Sequence, residues 1–287
     1  PKNCLYHNPL NPKKMKARFL ITVITTLFVL TMNFAQEKLH CPPSECEFQP
    51  SDQVYAFGHK IKLRTEPNTT SPVLEELKIG EWVKILEKTP FSWPYKGFDS
   101  PFYKVNYNGM TGYILGGLLS MERKTVAGQN YFFTYSREGE ATFLNIRTVV
   151  HGSYMEKKVP LKNDRFSINT LGNKGIPNLD GILYVDYLAD ASNLENGGIY
   201  LFLNHFNLCD AIEISQIVDN GSANYLSEKL IFPDDTDGIP NKILYKMEKG
   251  ENLDLATQWR QTSMETRILT WTDGTLSPSI KEKRRQP

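Results

Sequence analysis

The chain has 287 residues, of which 40% are apolar and 23% charged, so it is long enough for about two globular domains. Residues 1–35 hold five of the 33 basic residues and none of the 32 acidic ones, which leaves 28 basic against 32 acidic residues in the remainder. This mildly acidic balance disfavours a chain that tracks nucleic-acid phosphates with a basic surface, so no nucleic-acid partner is predicted.

Residues 15–35 are predicted to be a secretory signal peptide. A basic head, M-K-A-R, precedes an apolar stretch and the small residue Ala35, and this order predicts cleavage before Gln36. The alternative is an uncleaved anchor, although the apolar stretch is shorter than the ~20 residues that span a bilayer. We interpret residues 1–14 as lying upstream of the true start. We therefore expect an exported protein, periplasmic or at the cell surface, that meets the membrane only if this segment is retained.

Residues 36–51 are predicted to form a flexible leader ahead of the first domain. This segment contains Cys41 and Cys46, five positions apart. Export would allow them to close a small disulfide loop. Two reduced thiols on a flexible segment are the other interpretation, and the sequence leaves both open.

Residues 52–119 show the pattern of several short strands. Apolar and charged residues alternate with the period of two that is typical of half-buried strands, as in Ile61-Lys62-Leu63-Arg64 and Val83-Lys84-Ile85. Asn108-Gly109 lies between two such runs and predicts a tight hairpin turn, because both residues accept positive φ. Short strands with regular turns predict a small β-barrel.

The same segment resembles the bacterial SH3-like domain. Three parts of the family pattern are present: Lys62-Leu63-Arg64 with Pro67, then Val73-Leu74 with Leu77, Gly80 and Val83, then Tyr103-Lys104-Val105 with Gly109, Gly112, Tyr113 and Ile114. The resemblance implies an SH3-like barrel in an exported bacterial protein that acts by binding. It does not identify the ligand, and Lys62 stands where the family usually has Asn.

A long insertion, residues 91–101, departs from the family pattern. It contains four aromatic residues in a loop stiffened by Pro94 and Pro101. We predict that Trp93 and Tyr95, supported by Phe98, stack on a sugar or grip an extended peptide. The alternative is that these rings cap an open end of the barrel or pack against the second domain.

Residues 131–276 are predicted to form a second, all-β domain after a polar linker, residues 120–130. About nine strand patterns separated by Gly, Asn, Asp and Pro turns favour a β-sandwich or jelly roll. Residues 251–260 are the one segment whose pattern also fits a short helix. We predict a disordered basic tail at 277–287.

The acidic loop around Asp234, Asp235 and Asp237 is the best candidate for a calcium site. Carboxylates in a loop turned by Gly238 are the oxygen ligands that calcium needs. A closing carboxylate is missing, however, and Asp and Gly are also ordinary turn residues. No other cofactor is predicted.

No catalytic motif is present in the sequence. It lacks G-x-S-x-G, H-E-x-x-H and glycine-rich phosphate loops, and Cys209 follows the last histidine, His205, which reverses the order found in Cys-His endopeptidases. We therefore predict a non-catalytic binding protein that engages peptidoglycan or another envelope component. The alternatives are a protein–protein adaptor whose second domain binds calcium, and an envelope hydrolase with an unrecognised site.

Overall fold

The computed structural model of the chain describes residues 38–42, 45–188, 196–218, 224–254, 259–272, 274–278 and 280. The predicted signal peptide and the upstream residues lie outside these ranges, as does most of the predicted tail. Within the described ranges, no helix is long and apolar enough to cross a membrane.

The first sheet contains seven strands that wrap around one core. Its strands are β1 (Gln53–Ala56), β2 (Ile61–Arg64), β3 (Val73–Leu77), β4 (Trp82–Tyr95), β5 (Phe98–Tyr107), β6 (Met110–Leu115) and β7 (Leu119–Ser120). They lie in the order β3-β2-β6-β5-β4-β1-β7, and a 3₁₀ turn, Gly116–Leu118, connects β6 to β7. Ile61, Leu63, Val83 and Ile85 are fully buried, as their alternation with charged residues predicts.

The second sheet has four strands and begins inside the predicted linker. Its strands are β8 (Arg123–Val126), β9 (Gln129–Glu138), β10 (Ala141–Val150) and β11 (Ser153–Leu161), in the order β11-β10-β9-β8. Residues 120–130 are therefore not a free linker. A tight turn at Ala127-Gly128, with φ of 49° and 79°, pairs β8 with β9. The polar composition concealed this strand, because Val126 alone supplies its buried face.

The third sheet has eight strands in sequential order. They are β12 (Phe166–Leu171), β13 (Gly181–Tyr187), β14 (Asn196–Asn204), β15 (Asn207–Val218), β16 (Asn224–Ile231), β17 (Ile243–Asp254), β18 (Trp259–Thr272) and β19 (Thr275–Ser277). Strands β17 and β18 occupy most of the segment whose pattern also fitted a helix, and residues 255–258 lie outside the described ranges. Because each strand pairs with its sequence neighbours, the sheet is a curled meander without the crossovers of a jelly roll.

Strands β13 and β14 bury side chains on both of their faces. Leu183 and Leu201 belong to a core shared with the second sheet, whereas Ile182 and Phe202 belong to a core enclosed by the curled sheet itself. Burial on both faces explains why these strands are nearly continuous apolar runs. The all-β prediction is confirmed, with sandwich packing between the second and third sheets.

Candidate functional site

The described residues of segment 38–48 form an extended strap, which joins the first half of the protein to the third sheet. His40 is 3% exposed; its N–H donates to the carbonyl oxygen of Phe166 at 2.8 Å and its own carbonyl accepts from the Phe166 N–H at 3.1 Å. Cys41 and Cys46 are joined by a disulfide, with their Cα atoms 5.4 Å apart. The described part of the strap is therefore packed, in contrast to the flexible leader predicted from the sequence.

Side-chain contacts hold the strap against the second and third sheets. His40 Nε2 lies 2.9 Å from Glu122 Oε2, and Lys124 Nζ lies 2.7 Å from the other oxygen of the same carboxylate. Burial alone would raise the pKa of Glu122, but the hydrogen bonds from His40 and Lys124 outweigh it and lower the pKa. Arg165 pairs with Glu45 at 2.6 Å. A largely buried His–Glu contact therefore fixes one end of the strap.

The other end of the strap rests on the barrel. The Phe48 ring packs edge-on against the Tyr103 ring, with centroids 5.3 Å apart, and the Phe48 N–H donates to the Tyr103 hydroxyl at 3.3 Å. Burial raises the pKa of Tyr103 to about 12, so this hydroxyl stays protonated at neutral pH. Glu47 forms an ion pair with Lys88 on β4.

A cleft of about 430 Å³, here called the strap cleft, lies beneath the strap. The strap forms one wall, the start of β5 and the 3₁₀ turn form the second, and β9 with the residues before β8 forms the third. Lys38 Nζ donates to the Met121 carbonyl oxygen at 2.8 Å at one end of the cleft. The lining contains aromatic, aliphatic and charged side chains, among them Leu39, Phe48, Asp52, Tyr103, Met121 and Tyr135.

Two glycines allow the 3₁₀ turn to approach the neighbouring rings closely. A Cβ atom at Gly116 would lie 2.8 Å from the Tyr103 ring, and one at Gly117 would lie 2.7 Å from the Tyr95 ring. The Gly117 N–H donates to Ser100 Oγ at 2.6 Å. These close contacts set the position of the cleft wall, which side chains at either glycine would displace.

The insertion at 91–101 is a β-hairpin, and its tip contacts the second sheet. Lys96 and Gly97 form the turn with φ of 49° and 82°. The Arg137 N–H on β9 donates to the Lys96 carbonyl oxygen at 2.8 Å. A Cβ atom at Gly97 would lie 2.2 Å from the Arg137 carbonyl oxygen, so only glycine fits there.

The predicted aromatic binding residues are divided between two environments. Phe98 is partly buried and packs edge-on against Tyr135, with ring centroids 6.4 Å apart. Tyr95 covers the 3₁₀ turn, and burial raises its pKa. Trp93 and Phe91, by contrast, are 51% and 58% exposed. Tyr95 and Phe98 therefore match the packing alternative, and only Trp93 of the three keeps an accessible ring.

The acidic loop uses Asp235 to stabilise its own turn. The Asp235 carboxylate accepts from Lys174 Nζ and from the Phe232 N–H, each at 2.8 Å. Burial would raise the pKa of Asp235, but these two hydrogen bonds outweigh it and lower the pKa. Asp237 adopts a left-handed φ of 66° and Asp234 lies beside Gly175. Over the described ranges, no group of three or more His, Cys, Asp or Glu is arranged to hold a metal ion.

The sequence did not identify the residues that line the strap cleft. His40, Phe48, Tyr103, Met121 and Tyr135 come from distant parts of the chain, and no spacing or motif connects them. The Cys41–Cys46 pair was the one local signal, because a disulfide loop implies an ordered segment. Of the two core aromatics of the cleft, Tyr103 belongs to the SH3-like sequence pattern, whereas Tyr135 has the pattern of an ordinary strand residue.

Comparison with known proteins finds one match, which covers most of the barrel. Residues 60–120, about a fifth of the chain, match the family model described as Bacterial SH3 domain. No curated protein and no solved structure matches the chain. The match begins at β2 and ends at β7, so it covers all of the first sheet except β1. Residues 60–120 are therefore similar to the bacterial SH3 domain, a similarity that suggests a binding module.

Proposed function

We propose that this chain is an exported, non-catalytic protein that binds an envelope component in the strap cleft, with peptidoglycan as the first candidate. The observation that carries the proposal is the position of the cleft: it lies against β5 and the 3₁₀ turn of the SH3 domain and is closed by the strap. Its volume of about 430 Å³ falls within the ~300–1,000 Å³ typical of small-ligand sites.

The chemistry of the lining supports a ligand with both apolar and polar groups. Phe48 and Tyr135 supply ring surface, and Leu39, which is 45% exposed, supplies an accessible aliphatic side chain. The lining also contains the carboxylates of Glu47, whose Oε1 pairs with Lys88, and of Asp52, whose Oδ2 accepts from the Gln49 N–H. The second oxygen of each carboxylate can accept from amino or amide N–H groups of a ligand. A short peptide attached to a glycan, as in peptidoglycan, offers all of these groups.

Two further observations support export. The basic head and apolar stretch at residues 15–35 have the pattern of a secretory signal. The disulfide between Cys41 and Cys46 is the kind of bond that persists in oxidising compartments. The proposed absence of catalysis rests on the sequence, which lacks G-x-S-x-G and H-E-x-x-H motifs and the Cys-before-His order of Cys-His endopeptidases.

A protein–protein adaptor is the second candidate. Strand β4 carries four large apolar side chains that are at least one-third exposed: Trp82, Leu86, Phe91 and Trp93. Exposed apolar groups concentrated on one strand are typical of interaction surfaces. This surface does not include the lining of the strap cleft, so the two candidates are separable by mutation.

Sedimentation with purified peptidoglycan sacculi tests the first candidate against the second. Leu39→Glu places a charge in the strap cleft, and Leu74→Glu, at a leucine that is 40% exposed on β3 outside the lining, is the matched control. We expect the Leu39 variant to lose sacculus binding at least tenfold and the Leu74 variant to keep it. Equal binding by both variants contradicts the proposal, whereas loss of binding only in Trp93→Ala assigns binding to the β4 surface.

The same preparation tests the absence of catalysis. Incubation of sacculi with the protein should release no soluble sugar or peptide fragments above a protein-free control. Steady release that depends on protein concentration would instead support the hydrolase alternative.

A further inference from the structure

Strand β18 has a long stretch that is paired on one side only. On that side, residues 259–269 pair with β17. On the other side, β19 pairs with residues 270–272 alone. Among the described residues, no further strand lies beside the second side of residues 259–269. This side of the strand is here called the open edge.

The backbone groups that face the open edge belong to every second residue. Thr272 and Thr275 pair across a connection of only two residues, and the residues that flank such a hairpin turn exchange hydrogen bonds. Because this pattern alternates along an antiparallel strand, Ile268, Thr266 and Met264 turn their N–H and C=O groups toward the open edge. The residues between them turn theirs toward β17.

The other edges of the three sheets are short, covered or charged. Strands β7, β8 and β19 have two, four and three residues. Strand β12 begins with the bridge between Phe166 and His40 of the strap. Natural proteins use such features, together with charged residues and proline, to stop a sheet edge from pairing with another chain. The remaining edge strands carry charged residues or proline: Glu75 and Glu76 on β3, and Lys157, Lys158 and Pro160 on β11.

The open edge lacks these protective features. Residues 261–269 contain no proline, lysine or glycine, and their two charged side chains, Glu265 and Arg267, pair with each other. Met264 and Ile268 are 77% and 54% exposed, on the face opposite to the buried Leu269. An unprotected edge with exposed apolar side chains is a template for the addition of a strand from another chain.

The position of β19 limits which strand can be added. Any added strand must stop at Leu269, because β19 occupies the next position of the edge. A second β18 that is antiparallel and related by a two-fold axis at Met264 meets this condition in both copies. Residue 269 of each copy then lies opposite residue 259 of the other, where β18 begins. Axes closer to the C-terminus, at Glu265 or Thr266, would place residues of the second copy on β19.

We propose that the open edge pairs with the open edge of a second copy of this chain, so that the third sheets of two molecules form one continuous sheet. Met264 lies on the two-fold axis, opposite Met264 of the second copy, and the two exposed side chains cover each other. Thr262 of each copy lies opposite Thr266 of the other, and cross-strand pairs of threonines are favourable. A two-fold contact of this kind is self-complementary, as closed dimers require.

The charged side chains fit the same register. Glu265 lies opposite Ser263 of the second copy, and Arg267 lies opposite Gln261. No like charges are therefore directly opposite each other, which would destabilise the pairing. The open edge shares no residue with the strap cleft, so dimerisation and envelope binding can fail separately.

Sedimentation velocity of the purified protein over a concentration series tests the dimer. We expect a monomer–dimer equilibrium in the wild type. Met264→Lys and Met264→Glu each place like charges on the two-fold axis and should raise the dimer dissociation constant at least tenfold. An equimolar mixture of the two variants should regain the dimer, because opposite charges then face each other. Met110→Lys, at an exposed methionine on β6, is the matched control and should dimerise like the wild type.

Amide hydrogen exchange provides the second readout. The N–H groups of Met264, Thr266 and Ile268 should become protected as the protein concentration rises. The Glu265 N–H, which is turned toward β17, should be protected at every concentration. Melting curves of the Met264 variants verify that they stay folded, as expected for so exposed a side chain.

Three results would overturn the proposal. A wild type that stays monomeric throughout the series would leave the open edge to a strand of a different protein. A dimer that is equally stable in Met264→Lys would place the contact on another surface. A mixture of Met264→Lys and Met264→Glu that regains no dimer would exclude the two-fold axis at Met264.

Discussion

His40 and Phe166 form an isolated antiparallel bridge in which each backbone N–H donates to the other residue's carbonyl oxygen. Phe166 begins β12, whereas the strap that contains His40 continues to Phe48, whose ring packs on Tyr103 of the barrel. The strap therefore connects the SH3 domain to the third sheet and forms a wall of the strap cleft.

Reduction of the Cys41–Cys46 disulfide should weaken the strap. The bond closes a loop with a sequence separation of five residues, for which the chain-entropy model gives about 2 kcal/mol of stabilisation. We expect a lower melting temperature and weaker sacculus binding after reduction or in Cys41→Ser. Cys209→Ser is the control, since Cys209 is a free thiol and its loss should leave the response to reductant intact. Identical melting curves with and without reductant would exclude a structural role for the disulfide.

At low pH the attachment of the strap should weaken, because the Glu122 carboxylate becomes protonated. The pKa of Glu122 is lowered in the folded protein, so its stabilising contribution is complete above the unfolded pKa and is lost as the pH falls through the folded pKa. Urea unfolding of the wild type and Glu122→Gln should therefore show a constant difference in the free energy of unfolding above about pH 5. Below that pH the difference should shrink. A difference that does not change with pH would show that the carboxylate charge does not hold His40.

Docking of the inserted hairpin should depend on Gly97. Gly97 and Gly109 have nearly equal φ of 82° and 84°, but only a Cβ at Gly97 would contact backbone, the Arg137 carbonyl oxygen. Gly109→Ala should cost only the conformational penalty of positive φ, about 1 kcal/mol. Gly97→Ala should cost at least about 1 kcal/mol more, because the tip must leave β9. Equal costs in chemical denaturation would mean that the tip does not dock.

The two aromatic residues Trp93 and Phe98 should respond differently to truncation. Phe98→Ala removes a ring packed on Tyr135 and should lower stability by about 2 kcal/mol, less than the 3–5 kcal/mol of a fully buried ring. Trp93→Ala should cost less than about 1 kcal/mol, because half of the side chain is exposed. Thermal unfolding of both variants measures this difference. A larger loss in Trp93→Ala than in Phe98→Ala would reverse the assignment of packed and accessible rings.

The ion pair between Lys174 and Asp235 should stabilise the acidic loop. Because Lys174 and the Phe232 N–H occupy the Asp235 carboxylate, Asp235→Asn and Lys174→Met should lower the melting temperature by similar amounts. The calcium hypothesis instead predicts a fall on chelation that vanishes in Asp235→Ala and Asp237→Ala. Melting curves with chelator and with excess calcium distinguish the two.

The sequence predicted those strands and turns that are specified by residues close together in the chain. Alternation at Ile61–Arg64 and the Asn108-Gly109 turn specify barrel strands without reference to the rest of the chain. The role of the inserted hairpin could not be predicted in the same way. Its docking depends on the Arg137 backbone, and the fate of Phe98 depends on Tyr135, both in a different sheet.

The candidate site was not predictable from sequence for a related reason. The strap looks like a polar leader because its attachment uses backbone groups of His40 and Phe166, which carry no residue signature. Strand β8 looks like a linker because it buries a single valine, Val126.

The most direct test of the account is a comparison of sacculus affinity between Leu39→Glu and Leu74→Glu. Both leucines are similarly exposed, but only Leu39 lines the strap cleft. If the cleft holds the envelope component, the dissociation constant should rise at least tenfold in Leu39→Glu and stay at the wild-type value in Leu74→Glu. Equal dissociation constants for the two variants would contradict the assignment of the strap cleft as the binding site.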